Sequence, residues 1–203
     1  MKLYEFSISR SIRVRWMLKE MQVDCEIIPI NLQDGGGQAP EFLEINPLGK
    51  VPALVDGDLK LLESVAIMTY LGDKYPEKEL VPKAGTSDRA RYDQWMCFGQ
   101  NELDAILWTM AKHRWLYPEA MRVPEVNASC TWELERNLKV LDDHLSKNTF
   151  LLGTQFTAAD IMMGHTVGWA HSADIGRNFN HLMEYSKTLQ ERPGYPREIY
   201  DKK

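Results

Sequence analysis

Three serines alternate along one short string, Ser7-Ile8-Ser9-Arg10-Ser11-Ile12-Arg13-Val14, where an extended run passes into helical spacing. Hydroxyls at the start of a helix suit one task well. They donate to an anion, or to a group becoming one, helped by the free N–H groups and dipole of the helix end. A second such place is Glu63-Ser64, an acid beside a hydroxyl, just before the helical spacing of Ile67, Met68 and Leu71. Taken alone it also reads as a simple Ser cap beside a solvated Glu. A third is Lys50-Val51-Pro52, a cation followed by an X-Pro bond. Such bonds are the ones that readily become cis, and a Pro at a strand edge removes a ladder donor. By itself this Pro reads as an ordinary trans residue opening a strand, since few X-Pro bonds are cis.

The elements that must hold these groups follow from periodicity. Lys2 to Phe6 is short and extended, and Ser11 to Met21 places Val14, Leu18 and Met21 on one helical face. Glu26 to Ile30 is a second short strand, and the three glycines of Gln33 to Gln38 make a loop expected to be flexible. Val51 to Val55 and Leu59 to Leu62 flank Asp56-Gly57-Asp58, a strong hairpin signal. Ser64 to Lys74 is helical until Pro76 stops it. The order is strand, helix, strand, helix or loop, hairpin, helix: a small mixed sheet with helices on its faces. Beyond the polar connector Glu77–Ser87 every signal is helical: Arg89 to Arg114, Glu125 to Leu145, and a helix opening at Thr157 after Phe150-Leu151-Leu152-Gly153. A compact α/β unit therefore precedes an all-α one, with boundaries at 1–76, a linker at 77–87, and 88–203.

Composition narrows the function classes. The 203 residues carry 24 Lys and Arg against 29 Asp and Glu, a net charge of −5. A binder of nucleic acid needs a net positive surface, so none is expected as partner. With 44% apolar and 26% charged residues the chain is globular, and no apolar stretch reaches the eighteen or so residues of a bilayer span. No secretory signal is visible, and the three cysteines Cys25, Cys97 and Cys130 lack metal or disulfide spacing, which suits free thiols in the cytoplasm. His165 and His171 lie six apart and form no helical metal pair. Arg10, Arg13, Arg15 and Lys19 read as a solvated or ligand-facing basic patch, and Trp95, Trp108 and Trp115 as core by default. Asn127-Ala128-Ser129 is a sequon placed in a helix.

Two separated strings carry a resemblance over essentially the whole chain. Asn46-Pro47-Leu48-Gly49-Lys50-Val51-Pro52-Ala53-Leu54 with Leu62-Glu63-Ser64-Val65-Ala66-Ile67 is one. Phe150-Leu151-Leu152-Gly153 with Phe156-Thr157-Ala158-Ala159-Asp160-Ile161 is the other. Together they resemble the glutathione S-transferase family, in its serine-type, bacterial or theta- and phi-like branches. The resemblance implies a thioredoxin-like N-terminal domain, a C-terminal helical bundle and a homodimer. It implies that Val51-Pro52 is cis and that Val51 pairs with the cysteinyl part of glutathione. Ser64 would take the γ-glutamyl carboxylate, Glu63 the ammonium, and Lys50 the glycyl carboxylate.

The resemblance also places the chemistry in the serine string, where Ser9 to Val14 matches the Ser-x-x-x-Arg-Val of serine-type members. Ser9 is the catalytic candidate, Ser11 its rival and Ser7 third, with Arg10 beside bound glutathione. A thiol near ~8.5 is only a few per cent thiolate at neutral pH. Lowering that value by two units takes roughly 2.7 kcal/mol, within reach of one charge-assisted hydrogen bond plus a helix dipole. Ile8 and Trp108 are expected at the electrophile pocket. Glutathione is then cosubstrate and no further cofactor or metal is implied. The loop lacks the Cys of thiol-exchanging members and the Ser-Ser-Cys-Ser of the isomerase branch. Conjugation of the thiolate to a small hydrophobic electrophile, a detoxification chemistry, is the leading expectation. A glutathione-dependent peroxidase or dehalogenase, and a non-catalytic binding protein of the same fold, are its rivals. Thr157 to Asp160 is expected to form a capping box.

Overall fold

The computed structural model describes residues 1–200. The chain divides into two compact units, one of Met1–Val81 joined by the segment from Gln190 onward, the other of Pro82–Leu189.

In the first unit β1 (Lys2–Glu5), α1 (Ser11–Met21) and β2 (Glu26–Pro29) form a parallel crossover, the connection that parallel strands require. A 3₁₀ turn at Gly36–Gln38 and the short α2 (Pro40–Leu43) lead to β3 (Ala53–Asp56), β4 (Leu59–Leu62) and α3 (Ser64–Lys74). The sheet runs β2-β1-β3-β4, with β3 antiparallel to both neighbours. Asp56 faces Leu59, leaving Gly57-Asp58 as a two-residue hairpin turn. Leu3, Val14, Met17, Leu54, Ile67, Met68 and Leu71 are wholly buried and make the core. Tyr4 points to the opposite face of β1, its ring 5.7 Å from that of Phe42 on α2.

The register decides where the chemistry lies. Tyr4 faces Ala53, and Ala53 faces Leu62. The residues that follow β1, precede β3 and follow β4 therefore emerge at one end of the sheet. These are the serine turn, Val51-Pro52 and Glu63-Ser64.

Two features differ from the sequence reading. The glycine loop is not slack: Gly37 is buried, and a Cβ on it would stand 2.4 Å from the Gly49 carbonyl oxygen. The segment after Gln190, expected within the helical domain, instead packs on α1. Arg192 donates to both Glu20 oxygens at 2.8 and 3.3 Å, and the Tyr195 ring meets Trp16 edge-on at 5.0 Å. The short α9 (Arg197–Tyr200) ends the described chain, and positions 201–203 of the expected domain lie outside it.

The second unit contains no named strand among the described residues. One continuous helical run covers α4 (Ser87–Phe98), a π-helical stretch at Gly99–Asp104, α5 (Ala105–Ala111) and a second π stretch at Lys112–Leu116. Thr86 caps it by accepting the Arg89 N–H at 3.2 Å. The wider π turn frees a carbonyl, and buried Asn137 donates to that of Glu102 at 2.9 Å. Then follow α6 (Val126–Leu145), α7 (Ala158–Ser172) and α8 (Asn180–Gln190). Leu134, Leu138, Leu141 and Leu145 are buried as their spacing predicts. Trp95 is buried, whereas Trp115 is 62% exposed and so is no core residue.

Asp160 forms the expected capping box with Thr157 at the start of α7. Its Oδ2 accepts the Thr157 N–H at 2.8 Å and the Thr157 hydroxyl at 3.1 Å. Its Oδ1 accepts the Leu151 N–H and the Tyr185 hydroxyl, both at 2.9 Å. Complete burial pushes the carboxyl up to about 6 despite these donors.

Candidate active site

The serine turn is ordered by its own hydroxyls. Ser9 Oγ donates to the Phe6 carbonyl at 2.6 Å or to Ser11 Oγ at 2.9 Å, and accepts the Ser11 N–H at 3.2 Å. The Ser9 carbonyl accepts the Ile12 N–H at 3.1 Å. Ser9 thus serves the first free N–H groups of α1, although the cap position proper is Arg10, whose side chain makes no cap bond. An oxygen that accepts from a helix end is polarised, and its own proton becomes a better donor.

Burial separates the three serines. Ser11 is wholly buried and its Oγ accepts the Phe6 N–H at 3.4 Å. Ser9 and Arg10 are half-buried, and Ser7 is exposed. Ser9 alone combines access with an ordered hydroxyl at the helix start.

Beside this turn the Val51-Pro52 bond is cis. Val51 precedes the first paired residue of β3, so sheet pairing does not consume its N–H and C=O. The loop that delivers it is built by Asn46, only 3% exposed, which the sequence reading assigned no role. Asn46 Nδ2 donates to the Lys50 carbonyl at 2.6 Å, and its Oδ1 accepts the Leu48 N–H at 3.0 Å. Lys50 itself is exposed.

Glu63 takes the cap position of α3, and Ser64 is the first helical residue rather than the cap. Glu63 adopts φ 66° and ψ 118°, a region that non-glycine residues enter at a cost. Ser64 is buried, and its Oγ accepts Nη1 of Arg13 at 3.2 Å. Arg13 is 1% exposed, which corrects the reading of a solvated basic patch. Arg15 and Lys19 are likewise engaged, with Glu5 and Glu198. The spacing Ser9 to Arg13 was visible in the sequence, but nothing local said that the guanidinium turns inward.

The expected electrophile residues fall in different units. Ile8, in the first, is 69% exposed, and Trp108, in the second, is half-buried on α5.

Hydroxyls on a helix start, a backbone outside the sheet pairing beside a cis proline, and an acid–hydroxyl pair on a second helix start meet at one end of a thioredoxin-like sheet. Comparison with known proteins agrees. Residues 1–73 match the family described as glutathione S-transferase, N-terminal domain, and residues 128–197 match its C-terminal domain. Glutathione S-transferase 3 of Zea mays is 34% identical over 168 residues, covering 79% of this chain and 73% of that protein. Elongation factor 1-gamma 2 of Oryza sativa is 33% identical over 183 residues, 85% of this chain but only 42% of its own length. A glutathione transferase of Phanerochaete chrysosporium, crystallised with oxidised glutathione, superposes with a TM-score of 0.85 at 29% identity, covering 98% of this chain and 94% of that one. The chain belongs to the glutathione S-transferase family of enzymes, and its architecture is that family's fold.

Proposed function

We propose that this protein binds glutathione at the sheet end described above and uses its thiolate to attack a small hydrophobic electrophile. The observation that carries the reading is the convergence of Ser9, Val51-Pro52 and Glu63-Ser64 at one end of the sheet. In this reading the Val51 backbone pairs with the cysteinyl residue. Ser64, steadied by Arg13, takes the γ-glutamyl carboxylate, and Glu63 its ammonium. Lys50 meets the glycyl carboxylate, and Arg10 borders the peptide. The accessible Ser9 hydroxyl, polarised by the Ser11 N–H, turns its one proton from the Phe6 carbonyl to sulfur. Ser11 serves the turn. Ile8 is the residue of the first unit proposed to meet the electrophile. Glutathione is consumed as cosubstrate, no additional cofactor takes part, and the working form is a cytoplasmic homodimer in a detoxification role.

One observation favours a second reading. The kinship to elongation factor 1-gamma raises a binding protein without turnover, and peroxide reduction or dehalogenation by the same thiolate is the catalytic variant. Retention on immobilised glutathione, followed by aryl-halide, haloacid and hydroperoxide assays, separates them. Retention with aryl-halide turnover is the expected result. Retention without any turnover supports the binding protein, and loss of retention with a flat calorimetric titration overturns the glutathione site.

A further inference from the structure

One ion pair closes the serine turn at its base. Glu5 is the last residue of β1, and Arg15 lies on α1 beyond the turn; Arg15 Nη1 donates to Glu5 Oε1 at 2.8 Å. The chain between them contains every candidate serine. Glu5 is only 5% exposed, and its second oxygen, Oε2, is buried without a hydrogen-bond partner. A half-satisfied carboxylate inside a protein is costly. Burial accordingly raises its pKa against the pull of Arg15. Its position is the telling part. The next residue, Phe6, receives the Ser9 hydroxyl on its carbonyl and gives its N–H to Ser11 Oγ. The strand end that holds this acid therefore also holds the hydroxyl.

Arg15 is itself held from the far end of the chain. Its Nη2 lies 3.4 Å from Glu198 Oε1, and Glu198 also pairs with Lys19 at 2.5 Å. The C-terminal segment is fastened to α1 through Glu20, which accepts from Trp16 Nε1 at 3.0 Å, from Arg192, and from the Gly194 N–H at 3.3 Å. Gly194 permits this approach, since a Cβ there would come within 2.6 Å of the Glu20 side chain.

We propose that Glu5 and Arg15 are positioning residues for thiolate formation: the pair fixes the turn that presents Ser9, and Arg15 cancels a buried negative charge that would oppose the glutathione thiolate. Glu198 keeps Arg15 on Glu5. The proposal rests on the reading of Ser9 as the donor to glutathione sulfur. It assigns opposite signs to the two partners. Arg15→Met removes a positive charge at the base of the turn and the contact that fixes the strand end holding the Ser9 hydroxyl, and both losses disfavour the thiolate. Glu5→Gln keeps an oxygen for Arg15 to donate to but removes one buried negative charge from the base of the turn, which favours the thiolate.

The test is a titration of thiolate absorbance for bound glutathione in wild type, Arg15→Met, Glu5→Gln and the double variant, with kcat and KM measured alongside. Arg15→Met should raise the thiol pKa by about half a unit to one unit. Its kcat at neutral pH should fall several-fold while KM for glutathione stays within about twofold. Glu5→Gln should move the pKa down, and the double variant should return towards wild type. A merely structural pair would give shifts of one sign, or none, and either result in folded variants overturns the proposal. Should Arg15→Met fail to fold, the downward shift in Glu5→Gln decides. Wild-type protein that binds glutathione with an unshifted thiol refutes the Ser9 reading before any variant is made, and this proposal with it.

Discussion

Arg13 Nη1 donates to Ser64 Oγ at 3.2 Å, joining residues 51 apart in the sequence. The bond ties the helix that follows the serine turn to the helix proposed to hold the γ-glutamyl end. Arg13→Met should cost about 2 kcal/mol or more in stability, because a buried guanidinium is removed and Ser64 loses its donor. Ser64→Ala should weaken glutathione binding by roughly 1.5–3 kcal/mol, the value of a hydrogen bond to a charged group. Calorimetry on both variants checks the link; undiminished affinity in Ser64→Ala moves the carboxylate elsewhere.

Ser9→Ala should leave glutathione binding nearly intact and raise the bound thiol's pKa towards its solution value. A two-unit rise removes up to ~100-fold of thiolate at neutral pH, partly offset because a more basic thiolate is more nucleophilic. Activity should recover as pH rises. If Ser11→Ala carries the shift and Ser9→Ala does not, burial has misled the choice between them.

Glu63 holds a positive φ of 66°, a strain of about 1–3 kcal/mol in a non-glycine residue. Glu63→Gly should relieve part of it and raise the melting temperature, while glutathione affinity falls through loss of the carboxylate. A variant both more stable and equally tight in binding would refute the role given to Glu63.

Gly49 has φ 63°, and a Cβ there would stand 2.4 Å from the Gly37 carbonyl oxygen. Both the backbone and the neighbouring loop exclude a side chain. Gly49→Ala should destabilise by about 1–3 kcal/mol and displace Lys50 and Val51. Denaturant melts with glutathione binding as a second readout test this; wild-type values in both would mean the two loops separate easily.

Asp160 gives a pH signature. Its folded carboxyl lies at about 6 and the ordinary value is 3.8, so the folded value is the higher. Between these pH values the folded chain keeps a proton that the unfolded chain has released. Stability contributed by this group is therefore greatest below 3.8 and falls as pH rises to about 6, by at most about 1.4 kcal/mol per unit. Asp160→Asn should remove that slope and lower stability at neutral pH by about 2 kcal/mol, because an amide donor replaces an acceptor facing N–H and O–H donors. Urea titrations from pH 4 to 8 read the difference directly.

Much of this molecule is legible locally. The spacing within Ser11–Met21 and Leu59–Leu62 marks those elements at their observed bounds, and Thr157 to Asp160 announces its cap. Each depends on contacts within a few residues, which a sequence states outright. The serine string shows that a hydroxyl stands at the helix start. It does not show which hydroxyl is accessible, because the burial of Ser11 is set by the folded unit around it and not by its neighbours in sequence. Arg13 and Arg15 look alike in the sequence. Only the tertiary structure turns one to Ser64 and the other to Glu5, since each partner arrives from another element. The segment after Gln190 reads as more of the helical domain, yet it joins the first unit through Glu20 and Trp16. Short-range periodicity and capping determine the elements; long-range burial of charge and hydroxyl decides which residues make the site, because desolvation depends on the whole fold.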